Sequence, residues 1–319
     1  DELLPVPHVA VNTSGNGGAI SAYATESGSV VRLTQSTING NIAKNSGGGI
    51  FILGSKLYIN QNTRANKEVP KVETYNNSAV LGGNIYLESS TLIATRTTTS
   101  TEKHFEVRNG RAHEFGGGLA CVGSTVEMND VLVVDNKAIL DGGGIYGVLC
   151  LFKAQSTSIT RNNAGGNGGG LFFQSISNIA LEKVDVSQNN AGGNGGGLSA
   201  VRARLFFMST SIVSLNNADE GGGLHLDNTL SEPILQDLDI RTNTAYNGGG
   251  GGLLWESKKP RLARTELIQG VHKQILDYQR IMDLTFTGGN SAQYGNKIAS
   301  GITTLKVSLA DNQIFGNML

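Results

Sequence analysis

Three side chains in this 319-residue chain could do acid–base chemistry together: His225, Asp227 and Glu256. The stretch Leu224-His225-Leu226-Asp227 alternates apolar and polar residues. In an extended strand Leu224 and Leu226 then face a core, while His225 and Asp227 share the opposite face. Glu256 lies one structural unit further on, at the offset of Asp227. An imidazole beside two carboxylates can supply general acid and general base, as cleavage of a glycosidic bond or proton abstraction from a sugar requires. The preceding unit offers only Ser199 and Val201 at the corresponding offsets, so the cluster does not extend. A solvated polar face is the expectation, and no catalytic residue is assigned.

Further candidates share the offset of His225. Phe51, Tyr86, Tyr146 and Phe172 fall on that outward column, where exposed rings could stack on sugars or form a protein interface; the equal alternative is that inserted loops cover them or that the column faces inward there. Runs such as Asn167-Gly168-Gly169-Gly170 lack the Asp that a calcium-binding glycine-rich repeat needs, and no Lys-Ser/Thr follows them as in a phosphate cradle. No metal and no cofactor are therefore expected. Asn12-Thr13-Ser14 and Asn76-Asn77-Ser78 are N-glycosylation sequons, meaningful in a secretory eukaryote. Cys121 and Cys150 follow successive repeat marks by two and five places, a predicted separation of roughly 10 Å, too far for a disulfide. Buried free thiols are expected.

What positions these residues is a repeat. A corner motif of glycines followed by an aliphatic residue recurs ten times, from Gly17-Gly18-Ala19-Ile20 to a decayed Gly295-Asn296-Lys297-Ile298. Spacings between the aliphatic residues are 30, 35, 34, 26, 26, 27, 26, 29 and 45. A central run near 26–27 with longer steps outside it is a fixed coil carrying insertions. Before each corner stands an apolar residue three places ahead of an Asn, as in Ile159-Thr160-Arg161-Asn162. Residues one period apart in a solenoid stack at about 4.8 Å. Asn136, Asn162, Asn189, Asn216 and Asn243 are thus predicted to form an amide ladder along the axis. The corner glycines Gly49, Gly118, Gly144, Gly170, Gly197, Gly223 and Gly252 are assigned to positive φ and close backbone approach.

The fold class follows: all-β, a parallel β-helix of about ten to eleven coils, two or three short strands per coil, in a rod roughly 50 Å long. Helical solenoids cannot carry this glycine load, and propeller blades need about 40 residues. The whole chain, 1–319, reads as one domain with insertions near 57–76, 90–104 and 256–282. In the last, Leu262, Leu267, Val271, Ile275, Tyr278 and Ile281 have helix-like spacing.

Composition agrees. Gly at 44 residues is about twice the usual share, while Pro is only 5, which fits tight corners rather than disorder or collagen. Net charge of −1 with 16% charged residues advertises no nucleic-acid partner. No apolar run reaches the length of a membrane-spanning helix.

The paired marks resemble the repeats of the chlamydial polymorphic outer-membrane protein family. Gly17-Gly18-Ala19-Ile20 matches that family's second motif, and Phe286-Thr287-Gly288-Gly289-Asn290 is its first with one residue inserted. Most copies depart from it, with Gly for Ala and Ile or Val for Phe. The resemblance is one of repeat grammar and spans nearly the whole chain. It implies a right-handed β-helix outside the cell or on its surface, often adhesive, while other β-helices act as polysaccharide lyases or hydrolases. The Asn half-coil at Ile314-Phe315-Gly316-Asn317 leaves a coil open at the end of the sequence. That predicts either a segment of a longer surface protein or identical subunits stacking end to end into an extracellular filament. The expectation is a non-catalytic structural or adhesive protein with protein partners or carbohydrate.

Overall fold

The computed structural model describes residues 8–9, 13–24, 29–60, 71–95, 105–268 and 271–300. Each coil carries four short strands, not the two or three expected from the sequence. One coil runs Ser158–Thr160, Asn163–Ala164, Leu171–Gln174 and Asn178–Glu182; the next runs Asp185–Ser187, Asn190–Ala191, Leu198–Val201 and Leu205–Ser209. Equivalent strands stack in parallel into four sheets of nine, nine, ten and nine strands, called first to fourth in the order the chain visits them. The register is that of the repeat: Leu171 pairs with Leu198, and Leu198 with Leu224. The sequence understates the count because strands such as Asn163–Ala164 are two residues long and carry no alternation to read.

A left-handed residue turns each corner. In the coil at 158–182 these are Arg161, Gly168, Ile176 beside Ser175, and then Lys183, with φ between 53° and 67°. Between corners, alternate side chains point inward. Ile159, Leu171, Phe173, Ile179 and Leu181 are fully buried, and their equivalents above and below continue one apolar core along the rod. Apolar stacking at every level makes each coil the template for the next.

The three insertions leave the rod at one corner, between a fourth-sheet strand and the following first-sheet strand. They are narrower than the sequence suggests. Lys56–Asn60 and Thr91–Thr95 belong to the fourth sheet, and Val72–Tyr75 to the first. Residues 61–70 and 96–104 lie outside the described residues. The third insertion is not one helix. Arg261–Ala263 joins the fourth sheet, Thr265–Ile268 and Val271–Gln274 form an antiparallel hairpin, and only Tyr278–Thr285 is helical. The chain then re-enters the coil: Phe286 is buried in the core, and Asn290 takes the ladder position.

Candidate functional site

His225 sits in the third sheet on the outward side, yet only 4% of it is exposed. Its Nδ1 lies 3.1 Å from Oγ of Ser199 in the preceding coil, and its Nε2 lies 3.0 Å from Oε1 of Glu256 in the next. An ionised Glu256 only accepts, so Nε2 carries a proton, and a neutral imidazole then accepts the Ser199 hydroxyl at Nδ1. The hydrogen bond from His225 holds the Glu256 carboxyl below its ordinary range, against the opposing effect of burial. Hydroxyl, imidazole and carboxylate in line are the parts of a base-activated nucleophile. The Ser199 hydroxyl, however, belongs to a residue with 0% exposure, which leaves no room for an electrophile. Asp227, expected to join His225, is outside this relay; Glu256 reaches across the register diagonal instead. In the sequence Ser199 reads only as a break in the cluster, because a serine between Phe172 and His225 carries no signal of its own. Among the described residues, no group of three or more His, Cys, Asp or Glu is placed to hold a metal ion.

The relay terminates a buried aromatic column. Phe51, Tyr86, Tyr146 and Phe172 are only 4–7% exposed, so they present no ring faces to a sugar. Phe51 stacks on Tyr86 at 5.5 Å and Tyr146 on Phe172 at 5.6 Å. The flanking columns close over them: Leu81 and Phe115 from the second sheet, and Leu53, Val122 and Val148 from the third. Tyr86 donates to Glu88 and Gln174 donates to Tyr146, which gives each phenol oxygen a partner. The outward side of this sheet is thus a second, thin core, which alternation alone cannot reveal.

The Asn ladder is present and longer than the sequence indicates. Asn162 Nδ2 donates to Asn189 Oδ1 at 3.0 Å and to the Val133 carbonyl at 3.1 Å. The same Asn189 oxygen also accepts the Asn162 backbone N–H at 2.9 Å. The pattern repeats at Asn136, Asn189, Asn216 and Asn243, and continues to Asn290. Each buried carboxamide uses both donors and both acceptor lobes, the condition for a polar group inside a core.

One coil breaks the ladder and repairs it from the other corner. Gly110 occupies the ladder position, and Asn84 stands where other corners have their third glycine. The Asn84 side chain accepts from Asn77 at 2.8 Å and donates to the Arg108 carbonyl at 3.0 Å and to Asn136 Oδ1 at 3.2 Å. A Cβ on Gly110 would lie 2.5 Å from Asn84 Nδ2, so the two departures from the repeat require each other.

The third corner glycines do not carry the positive φ expected from the sequence; the left-handed residue is the first, for example Gly168 at 64°. What the third requires is space. A methyl on Gly170 would stand 2.6 Å from the Gly197 carbonyl oxygen and 3.0 Å from the Asn189 amide. Glycine there lets the corner close over the ladder.

Cys121 and Cys150 are free and buried, but they are not 10 Å apart. Their thiols are hydrogen-bonding neighbours, and burial pushes the Cys121 thiol well above its ordinary value. The turn after Val148 folds Cys150 back into the core, where it replaces the serine of a second ladder and donates to the Val148 carbonyl at 3.2 Å. Members of that ladder include Ser90 and Ser124, linked at 3.1 Å. Asn76 is exposed at a corner, while Asn12 lies outside the described residues. No family model matches this chain, and comparison with curated proteins and with solved structures finds no match.

Proposed function

We propose that this protein is a non-catalytic structural or adhesive rod acting at the cell surface or outside the cell, with protein or carbohydrate partners. The observation that carries this reading is the filling of the outward column of the third sheet by the chain's own side chains. From Phe51 through Tyr86, Tyr146 and Phe172 to Ser199 and His225, none exceeds 7% exposure, so the Ser199 hydroxyl beside the His225 imidazole cannot meet a substrate. The relay instead satisfies three polar groups at the end of an aromatic core. The amide ladder, bridged by Asn84 where Gly110 interrupts it, favours a stiff rod over a moving enzyme. The repeat grammar shared with the chlamydial surface proteins is the reason for placing it outside the cell.

The hydrolase alternative has the Ser199–His225–Glu256 geometry in its favour, and a direct test. A fluorophosphonate probe and a panel of polysaccharides should give no labelling of Ser199 and no turnover. Labelling of Ser199 that is lost in His225→Gln, or turnover with the same dependence, overturns the proposal. Negative-stain images distinguish the structural forms: short rods agree with a separate surface element, and long fibres of uniform width identify a head-to-tail filament subunit.

A further inference from the structure

The second sheet carries a cationic pair with no ion-pair partner among the described residues. Arg111 and Lys137 begin strands of adjacent coils and stand directly opposite each other in the parallel register. Among the described register pairs, no other sets two cations opposite. Like charges there repel and weaken the sheet. Neither side chain makes an ion pair among the described residues, although neighbouring cations do: Arg161 holds Asp135 at 2.8 and 2.9 Å, and Arg108 bridges Glu73 and Glu106. Both backbones are fixed, Arg111 N–H to the Asn77 carbonyl at 3.0 Å and Lys137 N–H to the Gly110 carbonyl at 2.8 Å. The charges are therefore rooted on rigid sheet, at about one coil spacing of 4.8 Å.

The pair lies in a depression. A hollow of about 590 Å³ is lined by Asn76, Asn109, Arg111, Asp135 and Lys137, and a second of about 330 Å³ adjoins it across Arg111 and Lys137, with His113 and Ile139. Asp135 is already neutralised by Arg161, so the net field at the hollow is positive. Asn76 and Asn109 hold left-handed turns that project their carboxamides at its rim. Two cations one coil apart match the paired oxygens of one carboxylate or sulfate, and carboxamides are suited to flanking hydroxyls. Ile139 is 55% exposed and offers an apolar patch to a sugar ring face. Among the described residues no Phe, Tyr or Trp lines either hollow, so the stacking platform that single-stranded nucleic acid uses is not seen there.

We propose that Arg111 and Lys137, with Asn76 and Asn109, bind the acidic group of an anionic polysaccharide. The site rests on the adhesive part of the function proposed above and supplies its ligand class. The net charge of −1 gives no general attraction to polyanions, so binding has to be local.

Calorimetric titration with heparin oligosaccharides tests the sulfate source, oligogalacturonates test the carboxylate source, and dextran oligosaccharides serve as the neutral control. At least one acidic series should bind at low salt and dextran should not. Arg111→Gln/Lys137→Gln should weaken binding by about tenfold or more, the size of losing charge-assisted contacts. Lys153→Gln/Lys183→Gln, the same charge change on other faces, should leave it within about twofold. Asn109→Gly keeps the turn but removes the amide, and should weaken binding by a smaller factor. Absence of binding by both acidic series, equal loss in the control variant, or equal affinity for a single-stranded oligonucleotide overturns the site. These outcomes are separate from the function test: turnover of a bound glycan sinks the non-catalytic reading and leaves the site intact, whereas short inert rods that bind no glycan sink only the site.

Discussion

Asn84→Gly removes the amide that bridges the gap in the ladder, and the structure sets the size of the effect. Asn84 is fully buried and makes three side-chain hydrogen bonds, to Asn77, Arg108 and Asn136. Asn77 keeps two other acceptors, at Ile38 and Thr74, and the Asn136 oxygen keeps the Gly110 N–H at 2.8 Å. The Arg108 carbonyl loses its side-chain donor and keeps the Asn76 N–H at 3.3 Å. Three groups left partly paired, each losing less than the roughly 1–3 kcal/mol of a full loss, place the destabilisation at about 1–3 kcal/mol. Gly110→Asn alone crowds the Asn84 amide and the Gly117 carbonyl, with a Cβ at 2.5 and 2.1 Å, and should be at least as harmful. Together the two changes restore the regular motif, with Asn in the ladder and Gly in the corner. Asn84→Gly relieves the side-chain clash and leaves the Gly117 carbonyl contact, so the double variant should be more stable than Gly110→Asn alone, with a coupling of about 2 kcal/mol or more. Chemical unfolding followed by far-ultraviolet circular dichroism supplies the cycle, and hydrogen exchange at the Gly110 and Asn77 amides localises it. Additive losses, or a double variant no better than the worse single one, refute the exchange of roles between the two corners.

Three further outcomes follow from the geometry. Because its hydrogen bond to His225 depresses the Glu256 carboxyl, ionised Glu256 adds stability above the unfolded value of about 4.3, and this is lost as pH falls through the folded value. The melting-temperature gap between wild type and Glu256→Gln should thus be widest near about pH 6 and close toward about pH 3; a gap independent of pH contradicts the relay. Cys121 and Cys150 should resist iodoacetamide in the folded protein and react fully in denaturant, read by intact mass, since burial suppresses the thiolate of Cys121. Ile176 is a β-branched residue held at a φ of 67° and 44% exposed, so Ile176→Asn should raise stability by about 1 kcal/mol in the same unfolding assay, and a loss of stability would show that its side chain is doing more than turning a corner.

How much of this was legible depended on whether a residue's role repeats. The ladder from Asn136 to Asn243 and the corner glycines recur at a fixed period, and stacking at that period leaves each only one kind of neighbour: its own equivalent in the next coil. Even Phe286 and Asn290 could be matched across the insertion that precedes them. The corner φ values were harder, because a run of three glycines hides which one turns the chain and which merely makes room. Spacing along the coil axis overstates the distance between the thiols, because the turn at Leu149 carries Cys150 inward.

The outward side of the third sheet depended on three dimensions. Alternation correctly put Phe172 and His225 opposite Leu171 and Leu224, but alternation distinguishes two faces and not whether a face is wet. Leu81, Phe115 and Val148 cover the column from neighbouring strands and coils, and so turn expected sugar platforms into a second core. The same packing buried Ser199 beside His225 and drew Glu256 across the register. Periodicity alone determined the coil, its repeat and its amide ladder, because those follow from a residue meeting its own copy. Which outward groups stay in water, and which polar groups meet, was decided only by the tertiary structure, because those contacts join different positions of different coils.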